Sequence, residues 1–226
     1  MELKRARWIL LIGLVGLGLV AGVRARAETV PTVAFTCDFP ASDPAHYGIS
    51  VSSDGHASYV SDGKLTRDSQ PDDQPYSSDF TLSSATTSHI FDLAQKANYF
   101  AGELDSKKKG IAVTGEKTLS YKDSQRSSSA TYNYSLAPPV QELTALFQSL
   151  SVTLEFGRRL EYEYHYQKLA LDDELKSLED LANRNDAREV KIIAPTLQKI
   201  LNDPSVMNTI RARAQRLLAL DAAGNK

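Results

Sequence analysis

The apolar residues of this chain change their spacing at one point, the consecutive prolines Pro138-Pro139. Before it, apolar and polar residues mostly alternate, which is typical of strands buried on one face. After it, Leu143, Leu146 and Leu150 begin a pattern with spacings of three and four, which is typical of amphipathic helices. The sequence therefore predicts an α+β fold, in which a small antiparallel sheet with one packed helix is followed by a C-terminal helical segment.

Two copies of Ser-Asp-Gly, at 53–55 and 61–63, divide the alternating region into short strands. Glycine accepts the positive φ of a tight turn and aspartate bonds the turn backbone, so a β-hairpin is expected around the first copy. Ser83 or Ser84 is placed to cap a helix over 85–97. The polar stretch 66–79 is interpreted as a solvated loop, and further strands are expected at 80–82, 111–114, 118–121 and 130–134.

Helical spacing continues from Pro139 to about residue 184. A single helix of that length would extend about 70 Å, so a break is expected at Gly157 or at 171–173. Two shorter helices follow, separated by Asn202-Asp203-Pro204, and together they predict an antiparallel helical hairpin that must pack on another element. The expected organisation is a signal peptide over 1–27, an extended lead-in over 28–45, an α+β domain over 46–150 and a helical tail over 151–226.

The N-terminus has the pattern of a secretory signal, because Lys4, Arg5 and Arg7 precede an uncharged run over 8–23. That run is shorter than the roughly 20 residues that span a bilayer as a helix. Ala25-Arg26-Ala27 matches the small-x-small cleavage pattern, which places the mature start at Glu28. We therefore expect an exported protein, periplasmic or secreted, that meets the membrane only through its signal. An uncleaved membrane anchor is the alternative.

Charge and cysteine content narrow the classes of partner. Removal of 1–27 takes away five basic residues and one acidic residue, so the formal charge changes from -2 to -6. An acidic body without a basic stripe is not expected to bind nucleic acid. Cys37 is the only cysteine and cannot form an intramolecular disulfide or a four-cysteine zinc site. A partly buried thiol is expected, with an intermolecular disulfide as the alternative.

Residues 46–150 present a hairpin, a polar loop, a strand, a capped helix ending in an aromatic pair, further strands and a proline-started helix. The segments that carry this order are Gly48-Ile49-Ser50-Val51 with Asp54-Gly55, Ser88-His89-Ile90-Phe91-Asp92-Leu93 with Tyr99-Phe100, and Pro139 with Leu143. In this order the chain resembles bacterial exported domains of unknown function. The resemblance implies export and an α+β fold, and it implies no activity.

Two established catalytic motifs, Gly-x-Ser-x-Gly and His-Glu-x-x-His, are missing from the sequence. We predict no catalytic residue, no cofactor and no metal site. The most metal-like arrangement is His46 and His56 on paired strands near Asp54, while His89 with Asp92 is typical of a surface hydrogen bond. The acidic runs at 72–73 and 172–174 are interpreted as a solvated turn and a helix start, with the paired acids of a glycosidase or calcium ligands as the alternatives.

The candidate interaction surface has two parts. Tyr162 and Tyr166 share a helix face by their i, i+4 spacing, and exposed tyrosines suit contact with proteins or carbohydrates. Packing between the sheet and the tail is the alternative interpretation. Arg211, Arg213 and Arg216 make a basic end on an acidic body, which indicates a favourable helix charge pattern, self-association or contact with an anionic surface.

These observations together predict a non-enzymatic exported protein that binds a partner protein, or itself, through its helical tail. The alternative is an extracytoplasmic hydrolase that uses carboxylates with His46 or His89.

Overall fold

The computed structural model describes residues 29–65 and 75–223. The predicted signal over 1–27 and most of the predicted loop over 66–79 lie outside the described residues. Within them, a six-stranded antiparallel sheet and five α-helices confirm the predicted α+β fold with a C-terminal helical segment.

The sheet has the strand order β4-β3-β2-β1-β5-β6, and every neighbouring pair is antiparallel. In chain order the strands are β1 (Thr32–Asp38), β2 (His46–Ser52), β3 (His56–Ser61), β4 (Tyr76–Thr81), β5 (Glu116–Lys122) and β6 (Ser127–Tyr132). The sequence interpretation separated 28–45 from the sheet, whereas the structure places β1 in its interior. Val33, Phe35 and Cys37 alternate into the core, which is the period-two pattern of a strand.

Local sequence signals predicted some of the strands and missed others. The hairpin between β2 and β3 is confirmed, with Gly55 at a φ of 90°. The strand predicted at 111–114 is wrong, because β5 begins only at Glu116. β4 starts at Tyr76, within the stretch interpreted as a loop. An edge strand is half-exposed, so Ser77 and Asp79 remain in water while Tyr76 and Phe80 turn towards the core.

The α-helices are α1 (Ser84–Lys96), α2 (Pro138–Tyr166), α3 (Leu171–Asn183), α4 (Ala194–Asn202) and α5 (Asn208–Ala223). Short 3-10 helices occur at Asn98–Phe100 and Val190–Ile193. The predicted cap of α1 is confirmed, since the hydroxyl of Ser83 accepts a hydrogen bond from the Thr86 amide. α1 and the first half of α2 cover one face of the sheet, where the rings of Phe35 and Phe147 stack with centroids 5.3 Å apart.

α2 contributes to two hydrophobic cores. Its first half, including Phe147 and Leu150, belongs to the core under the sheet. Its second half, including Phe156 and Leu160, packs with α3, α4 and α5 in a separate core. One continuous helix therefore joins the sheet to the helical tail.

The break predicted at Gly157 is wrong, because α2 continues through this residue and ends at Tyr166. The interruption lies at 167–170, next to the second predicted position. Gly157 has a packing role instead, since a Cβ at this position would overlap the Cγ2 of Ile193. Glycine lets the 3-10 helix Val190–Ile193 lie directly against α2.

α2 has 29 residues, enough by length to cross a bilayer. Its second half carries Glu155, Arg158 and Glu161, which are charged. In the part of the chain that the structure describes, no helix combines the length and the apolar character of a membrane span.

Replacement of Gly157 by alanine should weaken the junction between α2 and the tail. We expect Gly157→Ala to lower the free energy of unfolding by about 2 kcal/mol, because Ile193 must shift in a packed interior. In an Ile193→Ala background the same change should be neutral or slightly stabilising, since alanine is the better helix former. Urea unfolding of the four proteins measures the coupling. An equal loss in both backgrounds would show that Gly157 has another role.

Candidate functional site

A groove lies where the edge of the sheet, the second half of α2 and the start of α4 meet. We call it the tyrosine groove. Its cavity has a volume of about 390 Å³. It is lined by Tyr76, Ser78, Leu154, Gly157, Arg158, Glu161, Tyr162, His165, Tyr166, Ile192, Ile193, Pro195 and Thr196.

The apolar part of the groove comes from the boundary between the two cores. Leu154 belongs to the core under the sheet and Ile193 to the core of the tail. Ile192 and Pro195 add apolar surface from the segment that leads into α4. A concave apolar surface with a few polar groups is the usual form of a binding site.

Aromatic rings surround this apolar part. The rings of Tyr162 and Tyr166 lie 5.0 Å apart between centroids, as their shared helix face predicts. Tyr166 is 75% exposed, whereas Tyr162 is partly buried. Tyr76 adds a third ring from β4, and the guanidinium of Arg158 lies over it at 4.8 Å from the centroid. The groove therefore presents large rings with polar tips to a binding partner.

The tyrosine groove is continuous with an edge of the sheet. Within the described residues β4 pairs only with β3, so one side of its backbone has no strand partner. Tyr76 and Ser78, two residues of β4, also line the groove. Sequence reasoning missed this side of the site because it assigned these residues to a loop. The signal was the alternation of Tyr76, Ser78 and Phe80.

A buried polar network, the Glu155 network, holds α2 in place beside β3. Glu155 is 3% exposed, and its Oε1 accepts hydrogen bonds from the hydroxyls of Tyr59 at 2.8 Å and Ser61 at 2.5 Å. Burial and the nearby carboxylate raise the pKa of Tyr59, which therefore stays a donor. The Arg158 guanidinium lies 4.0 Å from Glu155 and donates to the Gly63 carbonyl at 2.8 Å. The network therefore fixes the arginine that contacts Tyr76.

Glu161 joins α2 to α4 at the groove. Its carboxylate accepts hydrogen bonds from Lys199 Nζ at 2.7 Å and from the Thr196 hydroxyl at 2.9 Å. His165 Nε2 lies 3.1 Å from Glu161 Oε1. Burial raises the pKa of Glu161, but these hydrogen bonds outweigh it and the pKa is lowered. Glu161 is thus an ionised structural link.

The predicted arginines lie elsewhere in the tail. Arg213 donates to Asp172 at 2.9 Å and to Glu179 at 3.1 Å, and Arg216 donates to Glu179 at 2.6 Å. These ion pairs connect α5 to α3, while Arg211 bonds Asn208 on its own helix. None of the three lines the tyrosine groove, so the structure does not bring the two parts of the predicted surface together.

The histidines singled out in the sequence are also dispersed. His46 and His56 lie at opposite ends of the β2–β3 hairpin. The prediction that they lie close to one another is therefore wrong. His46 pairs with Asp38 at 2.5 Å, and His89 pairs with Glu142 at 2.8 Å rather than with Asp92. No cluster of three or more metal-binding side chains occurs among the described residues.

A second concave site, the acidic cleft, lies between α2 and α3 and has a volume of about 510 Å³. Glu163, Asp173 and Glu174 line it, with Arg159 bonded to Glu174 at 2.5 Å. Burial, followed by repulsion from Glu174, raises the pKa of Glu163 to about 7. Its Oε2 is buried, and none of the described residues forms a hydrogen bond with it. Glu163 therefore titrates near neutral pH.

No known protein family and no curated protein sequence matches this chain.

The raised pKa of Glu163 should make stability depend on pH. The folded state binds the proton more tightly than the unfolded state, so this contribution lowers stability as the pH rises from about 4.5 to about 7. We expect Glu163→Gln to be more stable than the wild type by about 1 kcal/mol at pH 8, since the half-exposed carboxylate is partly screened. At pH 4 the two proteins should be equally stable.

Urea unfolding at both pH values measures this difference. Glu116→Gln, which removes an exposed carboxylate at a strand end, serves as the control for the loss of one negative charge. If Glu163→Gln behaves like this control, the carboxylate is solvated and the account of the acidic cleft is wrong.

Proposed function

We propose that this chain is an exported, non-enzymatic protein that binds an extended segment of a partner protein in the tyrosine groove. One observation carries the proposal: three tyrosine rings surround an apolar floor directly beside an edge of β4 that no described strand pairs with. Strand edges bind extended peptides through main-chain hydrogen bonds, and pockets beside them select side chains.

The composition of the groove supports protein binding. Tyrosine and arginine are enriched in protein interfaces, because their side chains contribute contact area and directed hydrogen bonds. Tyr166 is the most exposed of these rings and has the most surface to lose on binding. The partly buried Tyr162 and Tyr76 are already ordered by their neighbours, so binding costs little of their conformational entropy.

The strand geometry supports an extended ligand. A segment paired with β4 would place every second side chain on the same face as Tyr76 and Ser78. These side chains repeat at about 7 Å, so two or three of them fit along β4 beside the groove. The expected ligand therefore alternates apolar or aromatic residues with other residues over about six positions.

Glu161 favours binding over the hydrolase alternative. Among the described residues it is the only carboxylate that lines the groove, and Lys199, Thr196 and His165 surround its oxygens. Its lowered pKa favours the ionised form at neutral pH, which suits a structural link and not a general acid.

The N-terminal pattern over 1–27 supports the exported part of the proposal. The partner is then expected outside the cytoplasm, and an accessible unfolded terminus or loop would supply the extended segment.

Removal of the two helix tyrosines should weaken peptide binding. We expect a display library of random twelve-residue peptides, selected on the purified protein, to yield ligands with alternating apolar residues. The Tyr162→Ala/Tyr166→Ala double variant should bind these ligands at least about tenfold more weakly, because the main contact area of the groove is lost. Titration calorimetry with the selected peptides measures the change.

Tyr134→Ala provides the matched control, since Tyr134 is 38% exposed and lies outside the groove. It should bind the selected peptides as the wild type does. Selection of no peptide, or of peptides that bind the double variant equally well, would refute the proposed function.

A further inference from the structure

The face of the sheet opposite the helices is uncovered by any described helix, and its side chains are small. The central row across it, from β6 to β4, reads Ser129, Ser120, Ala34, Ser50, Ser58 and Asp79. The adjacent row reads Thr131, Thr118, Thr36, Gly48, Val60 and Ser77. Apart from Asp79 on the edge strand, these two rows carry no charge.

This composition is unusual for a solvated sheet face, on which charged residues normally keep neighbouring molecules apart. Depletion of charge at the centre is instead typical of an interface. Gly48 lies in the interior of the face, and glycine within a strand often marks the close approach of another backbone. Val60, beside it, is an apolar side chain left 42% exposed.

The charges on this face lie at the two ends of the strands. One end is mainly acidic and carries Glu116 on β5, Asp62 directly after β3, and Asp38 on β1, which is paired with His46 on β2. The other end carries Lys122 on β5 and His56 on β3. Glu116 and Lys122 are both exposed, and neither makes an ion pair within the described residues.

This charge pattern allows the face of one copy to pack on the same face of a second copy with opposite charges in contact. A two-fold axis in the plane of the face, running across the strands, would place β5 over the β5 of a second copy with its direction reversed. Lys122 of each copy would then face Glu116 of the other, and His56 would face Asp62. The uncharged central rows would meet between them, within the roughly 30° angle usual for packed sheets.

We propose that this sheet face is the interface of a weak homodimer, formed by two copies of this chain related by that two-fold axis. The face measures about 24 Å across the strands and about 22 Å along them, as strand spacing and rise dictate. The dimer would bury on the order of 1,100 Å² in total, which is at the lower limit of specific interfaces. A dissociation constant on the order of 100 µM is therefore expected.

Charge reversal tests the orientation of the two copies by sedimentation equilibrium of the purified protein. Lys122→Glu and Glu116→Lys should each weaken the dimer by about tenfold, since each change introduces two repulsive contacts per dimer. The double variant should regain the wild-type dissociation constant, because the reversed charges again face each other. Both positions are exposed, so the variants keep the fold, and far-UV circular dichroism verifies this.

A second pair of variants locates the interface. Ser50→Arg places a long charged side chain in the central row and should leave the protein monomeric up to about 500 µM. Ser88→Arg makes the same change on the exposed face of α1 and should leave dimerisation intact. A wild type that stays monomeric over this range, a dimer insensitive to Ser50→Arg, or a double reversal that rescues nothing would each overturn the proposal.

Discussion

The rest of the structure depends on the carboxylate of Glu155, which lies in the interior between α2 and β3. A buried carboxylate is costly unless it receives hydrogen bonds or lies near a positive charge; here the hydroxyls of Tyr59 and Ser61 donate to its Oε1, and the guanidinium of Arg158 lies 4.0 Å from its Oε2. Because these donors come from one strand, the network selects one position of α2 over the sheet. That position also sets where Arg158 meets Tyr76, and hence the shape of the tyrosine groove.

The tail is consequently joined to the sheet domain by more than one helix. Ser83 and Thr86, at the start of α1, donate to the carboxylate of Glu189 in the segment before α4. The Thr153 hydroxyl on α2 donates to the Arg188 carbonyl at 2.7 Å. These contacts satisfy polar groups at the boundary of the two cores, and the tyrosine groove is the concave part of that boundary. The open face of the sheet lies on the side away from it, so a dimer would leave the groove accessible.

Features set by local chemistry could be predicted, such as the Ser83 cap, the turn at Gly55 and the shared face of Tyr162 and Tyr166. Features set by distant neighbours could not. Strand order depends on pairing across the whole chain, so β1 was separated from the sheet and the first four residues of β4 were assigned to a loop. A glycine at position 157 suggests a helix break, and only the packing of Ile193 against it explains why glycine is there. Glu155 and Arg158 look like solvated helix residues until Tyr59, Ser61 and Gly63 are placed beside them.

Native-state hydrogen exchange of the wild type and Glu155→Ala tests most directly whether the Glu155 network couples the two cores. In the wild type, the slowest amides of β1 and α5 should exchange with the same free energy, through one cooperative opening. In Glu155→Ala, the α5 amides should exchange at a free energy lower than those of β1 by about 2 kcal/mol, because the tail can then open alone. Equal protection of both elements in the variant, or a tail that already opens separately in the wild type, would contradict the account.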